Sequence, residues 1–365
     1  MRFAPYAGIV TALLFGALIA LLTGATFEYD QAPVLTPESS ALSTVSQPSP
    51  VAAGAGNQPV TTSETSPSPL SAAAGASTAT TPAIPTPPKN ADLAPASALL
   101  RSALVNILCI APAGSGIRSI SGSGVFIDSK GYVLTNAHVA QYFLLADRGV
   151  RCAIRTGSPA QTAYSALLAY LPSAWIDANA TALTQDAPNG TGENDFAILS
   201  VTGSTTDAPL PDSFPSIPLA VQPVYANTPV VIASYGAQFL ETTQVEDALY
   251  PTVVFGSVKA VYTFVRNTID VLGLGGSVAA QEGSSGGGVA DADSVLVGTI
   301  TTSTVQGDTA TRSLNAITAS YIRGAYASAT GNPLDLLLAE DPDQAATDFL
   351  HESHALSAQI EAGLH

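Results

Sequence analysis

From residue 98 to about 330 the chain alternates short apolar runs with clusters of Gly, Pro, Asn, Asp and Ser. The runs read LVNILCIA, SGVFIDS, YVLTNAHVA, RCAIRT, DFAILSV, TPVVIASYG, PTVVFGSVKAVYTFV and VLVGTITTS. Short β-type runs at short intervals predict an all-β barrel or sandwich. Asp128-Ser129-Lys130-Gly131 reads as a hairpin turn between two of them. After residue 330 the pattern turns helical. Asp341-Pro342 reads as N-cap and first helical residue, and Phe349, Leu356 and Ile360 fall on one face. The tail, 331–365, is too short for a further domain, which needs roughly 50 residues. It reads as a docking helix.

The first part of the chain has a different texture. Between Ala4 and Ala25 no residue is charged, and IVTALLFGALIALL forms the centre. About 20 apolar residues span a bilayer as a helix. Arg2 precedes the stretch and Glu28 and Asp30 follow it, so the positive-inside rule puts the remainder outside the cytoplasm. An N-terminal transmembrane anchor over 1–30 is the expectation. A cleaved signal segment, ending near Thr23-Gly24-Ala25, is the rival, and it would make the protein secreted. Residues 31–97 are dominated by Pro, Ser, Thr, Ala and Gly, a composition that cannot bury enough apolar surface to offset ordering. They read as a tether.

Composition narrows the function classes. Of 365 residues 46% are apolar but only 11% are charged, and the net charge is -16. An acidic chain without a basic run argues against nucleic acid as a partner. Two cysteines, Cys109 and Cys152, are too few for a disulfide scaffold and do not have zinc-site spacing. One disulfide and two separately buried thiols both remain open.

The candidate chemistry starts from VAAQEGSSGGGVAD, residues 278–291. A serine in a glycine-rich turn becomes a nucleophile only with a base, a group orienting that base, and donors for the oxyanion. Four histidines are present, and only His138, in YVLTNAHVA, lies in the β-rich region. Asp195, in GENDFAILSV, leads into an apolar strand and is the candidate orienter, with Asp177 as fallback. His351 and His354 on the tail read as solvated residues of a helix face, and no metal or other cofactor is expected.

His138, Asp195 and Ser285 follow the order His, Asp, Ser. Here the sequence resembles the trypsin-like serine proteases. SGSGVFIDSKGYVLTNAHVA is similar to their strand-turn-strand and histidine motif, DFAIL to their aspartate motif, and EGSSGGGV to their nucleophile motif. The TNAHV form most resembles the HtrA (DegP-like) branch, although no PDZ domain fits after residue 330. The resemblance covers 98–330 and implies two six-stranded antiparallel β-barrels with the triad between them. It implies His138 as general base, Asp195 as its orienter and Ser285 as nucleophile. Gly283 and Ser285 would supply the oxyanion amides. Ala279 would help floor the pocket for the residue before the cut, favouring small or medium apolar side chains. Thr301, Thr302 and Ser303 would pair with the substrate backbone. Ser284 stands where the family has Asn or Asp more often, and Gly288 where it has Pro or a small residue. Activation by a freed N-terminus pairing with an aspartate is therefore not expected. The partners implied are polypeptides, with oligomerisation open. The span between His138 and Asp195 is long and reads as a lid or a remote insertion.

Two other readings compete. The GxSxG spacing also suits an α/β-hydrolase, but that fold places its histidine after the serine. A catalytically silent trypsin-like fold, used as an exported binding or sensor module, is the other; the complete triad argues against it.

Overall fold

The computed structural model describes residues 91–184, 192–264, 267–301, 308–309 and 311–364, all within the unit Thr80–His365. The anchor expected over 1–30 and the tether up to residue 90 lie outside the described residues. Helix α1 (Ala94–Ala103) begins slightly before the boundary expected at residue 98. Asp92 Oδ1 accepts from the Ala94 amide at 3.0 Å, and Pro95 sits in the first turn, where its fixed φ suits a helix. Ala96, Leu100 and Ala103 form its buried face.

Six strands close a barrel in the order β1-β2-β3-β6-β5-β4. They are β1 (Leu104–Ile110), β2 (Ile120–Phe126), β3 (Tyr132–Thr135), β4 (Arg151–Thr156), β5 (Gln161–Tyr170) and β6 (Ala197–Ser204). The hairpin turn between β2 and β3 forms where the sequence predicts it. Asp128 Oδ1 accepts from the Lys130 amide at 2.8 Å, and Gly131 takes φ 107°, a left-handed value that favours glycine. A second sheet has the order β8-β7-β11-β12-β13-β10-β9. Its strands are β7 (Pro229–Ser234), β8 (Thr252–Ser257), β9 (Ala260–Tyr262), β10 (Val271–Gly273), β11 (Gly288–Ala290), β12 (Leu296–Thr301) and β13 (Asn315–Thr318).

This corrects the all-β expectation of two six-stranded barrels. The fold is mixed, with 30% helix and 29% strand, and only the first sheet closes. The second sheet, of seven strands, stays open. Its edge strands β8 and β9 belong to one chain segment, bent at Val258 and Lys259. The Val258 amide bonds Thr228 O and the Lys259 amide bonds Gly273 O, so the two ends of the segment serve opposite edges of the sheet. The helices are α2 (Ala137–Ala140), α3 (Ser173–Asn179), α4 (Thr242–Asp247), α5 (Ala319–Thr330), α6 (Leu334–Ala339) and α7 (Pro342–Gly363). No helix among the described residues is long and apolar enough to cross a membrane.

Helix α7 starts at the predicted cap: Asp341 Oδ1 accepts from the amides of Asp343 (3.0 Å) and Gln344 (3.4 Å). Phe349, Leu356 and Ile360 are buried on its face against β5 and β6. The Phe349 ring lies 6.2 Å from Tyr170, itself 5.9 Å from Phe196, the residue after Asp195. The insertion read as a lid or remote segment contributes α3, which packs on α7 through buried Trp175 and Ile176. Asp177, the fallback acid, accepts there from Gln359 Nε2 and has no bond to His138.

Two features tie the closed barrel together and to its surroundings. Cys109 and Cys152 are paired across β1 and β4 and form a disulfide, which decides between the two readings open from the sequence. On the same pair of strands Arg155 is 2% exposed. Its Nη1 donates to Asn106 Oδ1 (3.0 Å) and Val245 O (2.8 Å). Its Nη2 donates to Ala160 O (2.8 Å) and to Glu246 O. Burial pulls its pKa below the ordinary arginine value, against the opposing pull of Tyr235, Glu246 and Asp247. Acceptors on α4 thus hold a cation that burial disfavours, which fastens the chain before β8 to the barrel.

The disulfide spans 43 residues, and a closed loop of that size restricts the unfolded chain. Replacing both cysteines, Cys109→Ala with Cys152→Ala, is expected to lower unfolding free energy by about 2–4 kcal/mol. Urea titration of the two proteins checks this through the shift in midpoint at constant slope.

Candidate active site

His138 sits on α2, just after β3. Asn136 precedes the helix in extended conformation, and its carbonyl accepts from the amides of Val139 (3.2 Å) and Ala140 (2.9 Å). Its side chain Nδ2 donates to the Asp195 carbonyl at 2.8 Å, so the histidine turn grips the acid's backbone. Asp195, just before β6, is 5% exposed. Its Oδ1 accepts from the His138 amide at 2.9 Å, and its Oδ2 meets His138 Nδ1 at 2.8 Å. Thr301 donates its hydroxyl to the same Oδ2 at 3.0 Å.

Burial pushes the Asp195 pKa up, but the charge and hydrogen bonds of His138 and the Thr301 hydroxyl outweigh it. The carboxyl is held below its ordinary range and is ionised at neutral pH. An ionised carboxylate only accepts, so Nδ1 carries the proton and a neutral His138 keeps its Nε2 lone pair free. The preceding residue, Asn194, is held from α5: its amide donates to Tyr321 Oη at 3.2 Å, and Tyr321 Oη donates to Asn194 Oδ1 at 3.3 Å.

Ser285 lies in the loop between β10 and β11. The carbonyls from Glu282 to Ser285 all accept hydrogen bonds. Glu282 O accepts from the Ala237 amide (2.8 Å), Ser284 O from the Gly287 amide (2.9 Å) and Ser285 O from the Ser123 amide (2.7 Å). Gly283 O accepts from Ser123 Oγ at 2.7 Å. The amides of Gly283 and Ser285, by contrast, have no acceptor among the described residues. Gly283 and Gly286 take φ of 88° and 86°. A Cβ on Gly286 would overlap the Ser123 carbonyl oxygen, so only glycine lets the two chains approach this closely. Ser284 is buried and accepts from Ser234 Oγ at 3.1 Å.

The structure thus joins His138 and Asp195 directly. It fastens the Ser285 loop to Ser123 on β2, whose carbonyl takes the Thr135 hydroxyl at 2.7 Å, close before His138 in the chain. Ala279 is buried, and its neighbour's carbonyl, Ala280 O, accepts from Arg312 Nη1 at 2.6 Å. Thr302 and Ser303 lie outside the described residues. Thr301, read from sequence as a substrate-strand residue, directs its hydroxyl to Asp195. Ser123, Asn136 and Arg312 were not legible as site residues. The first two stand inside the quoted histidine motif, but nothing in a lone Ser or Asn marks its partner. Among the described residues no group of three His, Cys, Asp or Glu side chains is placed to hold a metal.

Because the folded pKa of Asp195 is depressed, the stability it contributes is present above the unfolded value, about 4, and is lost as pH falls through the folded value. Thr301→Val removes one donor to the carboxylate. Its acid-unfolding midpoint is therefore expected at higher pH than wild type, read by circular dichroism from pH 7 downward.

Residues 122–298 match the trypsin-like peptidase domain. The chain is similar to the crystal structure of the Rv3671c protease from M. tuberculosis in its active form, at 21% identity over 68% of this chain and 91% of that chain, with a TM-score of 0.42. The inactive form of the Rv3671c protease aligns at 18% identity over 68% of this chain and 99% of that chain, with a TM-score of 0.40. No curated protein matches the chain. The match is to the trypsin-like domain in general and singles out no HtrA branch. Residues 122–298 of this chain are a trypsin-like peptidase domain of the serine protease family.

Proposed function

We propose that the protein is an exported, membrane-tethered serine endopeptidase that uses His138, Asp195 and Ser285 as its triad. The observation that carries the reading is the pairing of a buried, ionised Asp195 with both the amide and Nδ1 of His138. The nucleophile loop adds support through the Gly283 and Ser285 amides, which have no acceptor among the described residues. The peptidase domain extends over 98–330, with 331–365 as a helical tail, 31–97 as tether and 1–30 as anchor. The apolar stretch Ala4 to Ala25 supports the anchor. The TNAHV motif supports a place beside the HtrA branch.

In the reaction, His138 Nε2 takes the proton from Ser285 Oγ as Oγ bonds the carbonyl carbon of the scissile peptide. The oxyanion that forms is stabilised by the Gly283 and Ser285 amides. The intermediate collapses, His138 gives its proton to the leaving amine, and the C–N bond breaks. Water, deprotonated by His138, then hydrolyses the acyl-serine. Asp195 keeps the ring in the productive tautomer and balances the imidazolium. The substrates are polypeptides.

Full-length wild type is expected to react with a fluorophosphonate probe and to cleave unfolded casein. Ser285→Ala is expected to do neither, with kcat reduced by roughly 10⁶-fold. A folded wild type that leaves casein intact and the probe unreacted makes the domain a binding module instead.

A further inference from the structure

The nucleophile loop raises a question that the triad does not answer: what keeps a glycine-rich segment turned with its amides outward? Four carbonyls, from Glu282 to Ser285, set the course of the loop, and the Gly283 and Ser285 amides share peptide planes with two of them, Glu282 O and Ser284 O. Three of them, on Glu282, Ser284 and Ser285, accept from backbone amides. No substitution short of proline removes those donors. Among the described residues, Gly283 O alone depends on a side chain, Ser123 Oγ at 2.7 Å.

That hydroxyl has little freedom. Ser123 is fully buried, and its Oγ accepts from the Tyr235 amide at 2.9 Å. With a lone pair committed to Tyr235, the hydroxyl proton is directed to Gly283 O. The residue also holds the loop through its own amide, on Ser285 O, and is itself held by the Thr135 hydroxyl on its carbonyl. Ser284, in the position where a charged partner would sit in an activatable trypsin-like loop, is neutral and bonded to Ser234.

We propose that Ser123 is a positioning residue that holds the oxyanion donors in their working orientation, so the loop is competent without an ion pair. The inference rests on the catalytic reading of Ser285 given above. Gly283, at φ 88°, has other wells open to it, since glycine populates both signs of φ. Without the Ser123 hydroxyl the Gly283–Ser284 peptide can rotate, and the Gly283 and Ser285 amides on either side of it lose their fixed spacing. Complete loss of one oxyanion donor costs about 10²–10³ in kcat. A donor present for only part of the time costs less, on the order of 10–100-fold.

The test compares full-length wild type, Ser123→Ala and Ser285→Ala, each confirmed folded by circular dichroism at the assay temperature. The probes are the fluorophosphonate, whose phosphoryl oxygen occupies the oxyanion position, and fluorescently labelled casein. For Ser123→Ala, kcat is expected to fall 10–100-fold with KM within about twofold, and probe labelling to slow in parallel. A merely structural role would lower thermal stability but leave kcat and labelling of the folded enzyme unchanged, and that result overturns the proposal. Should Ser123→Ala not fold, Ser123→Cys, whose thiol donates weakly, carries the same test: slowed labelling supports the role and wild-type labelling overturns it. An unlabelled wild type, or equal labelling of Ser285→Ala, overturns the catalytic reading and this one with it. A labelled wild type beside an equally fast Ser123→Ala overturns the role of Ser123 alone.

Discussion

The site depends on a pair of bonds made by one buried serine. Ser123 reaches from β2 of the closed barrel to Gly283 O with its hydroxyl and to Ser285 O with its amide. Neither bond carries charge. A glycine-rich loop left to itself samples many turns, and each buried carbonyl it turned inward without a donor would cost on the order of 1–3 kcal/mol. Here each carbonyl from Glu282 to Ser285 already has its donor. The Gly283 and Ser285 amides, in the same peptide planes as Glu282 O and Ser284 O, are therefore fixed by the bonds those carbonyls make.

Within the site, charge is handled at Asp195. Asp195 is buried, and an isolated carboxylate there would take up a proton. It stays ionised because three donors converge on it: the His138 amide, the His138 ring and the Thr301 hydroxyl. Asn136 and Tyr321 act one layer further out, on the backbone of Asp195 and on Asn194. The carboxylate's donors come from α2 and from the last residue of β12, while helix α5 bears on the neighbouring Asn194.

Much of this was legible where chemistry restricts residue type. The Asp128–Gly131 turn needs a left-handed residue, the Asp341-Pro342 cap needs an acceptor before a proline, and the His138 and Asp195 motifs stand out because few groups can do their work. The all-β expectation failed for two reasons. The helical pattern read after residue 330 marks only a tail, whereas α5, α6 and α7 occupy much of the chain from residue 319 on. PTVVFGSVKAVYTFV reads as one run, and nothing in its apolar pattern reveals that it bends at Val258 and Lys259 to form two edges. Ser123 and Thr301 were legible as residues but not as partners. A hydroxyl in a run of serines or threonines does not advertise which distant carbonyl or carboxylate it serves.

The bend at Val258 and Lys259 has a mechanical consequence. In an ordinary open sheet the outer strands fray independently, and either can slip in register without disturbing the other. Here the outermost strands are successive lengths of the same backbone, pinned at the bend to Thr228 O and Gly273 O. A shift by β8 along β7 pulls β9 along β10. The sheet therefore behaves as a loop of belt around two pulleys, with its edges yielding together or not at all.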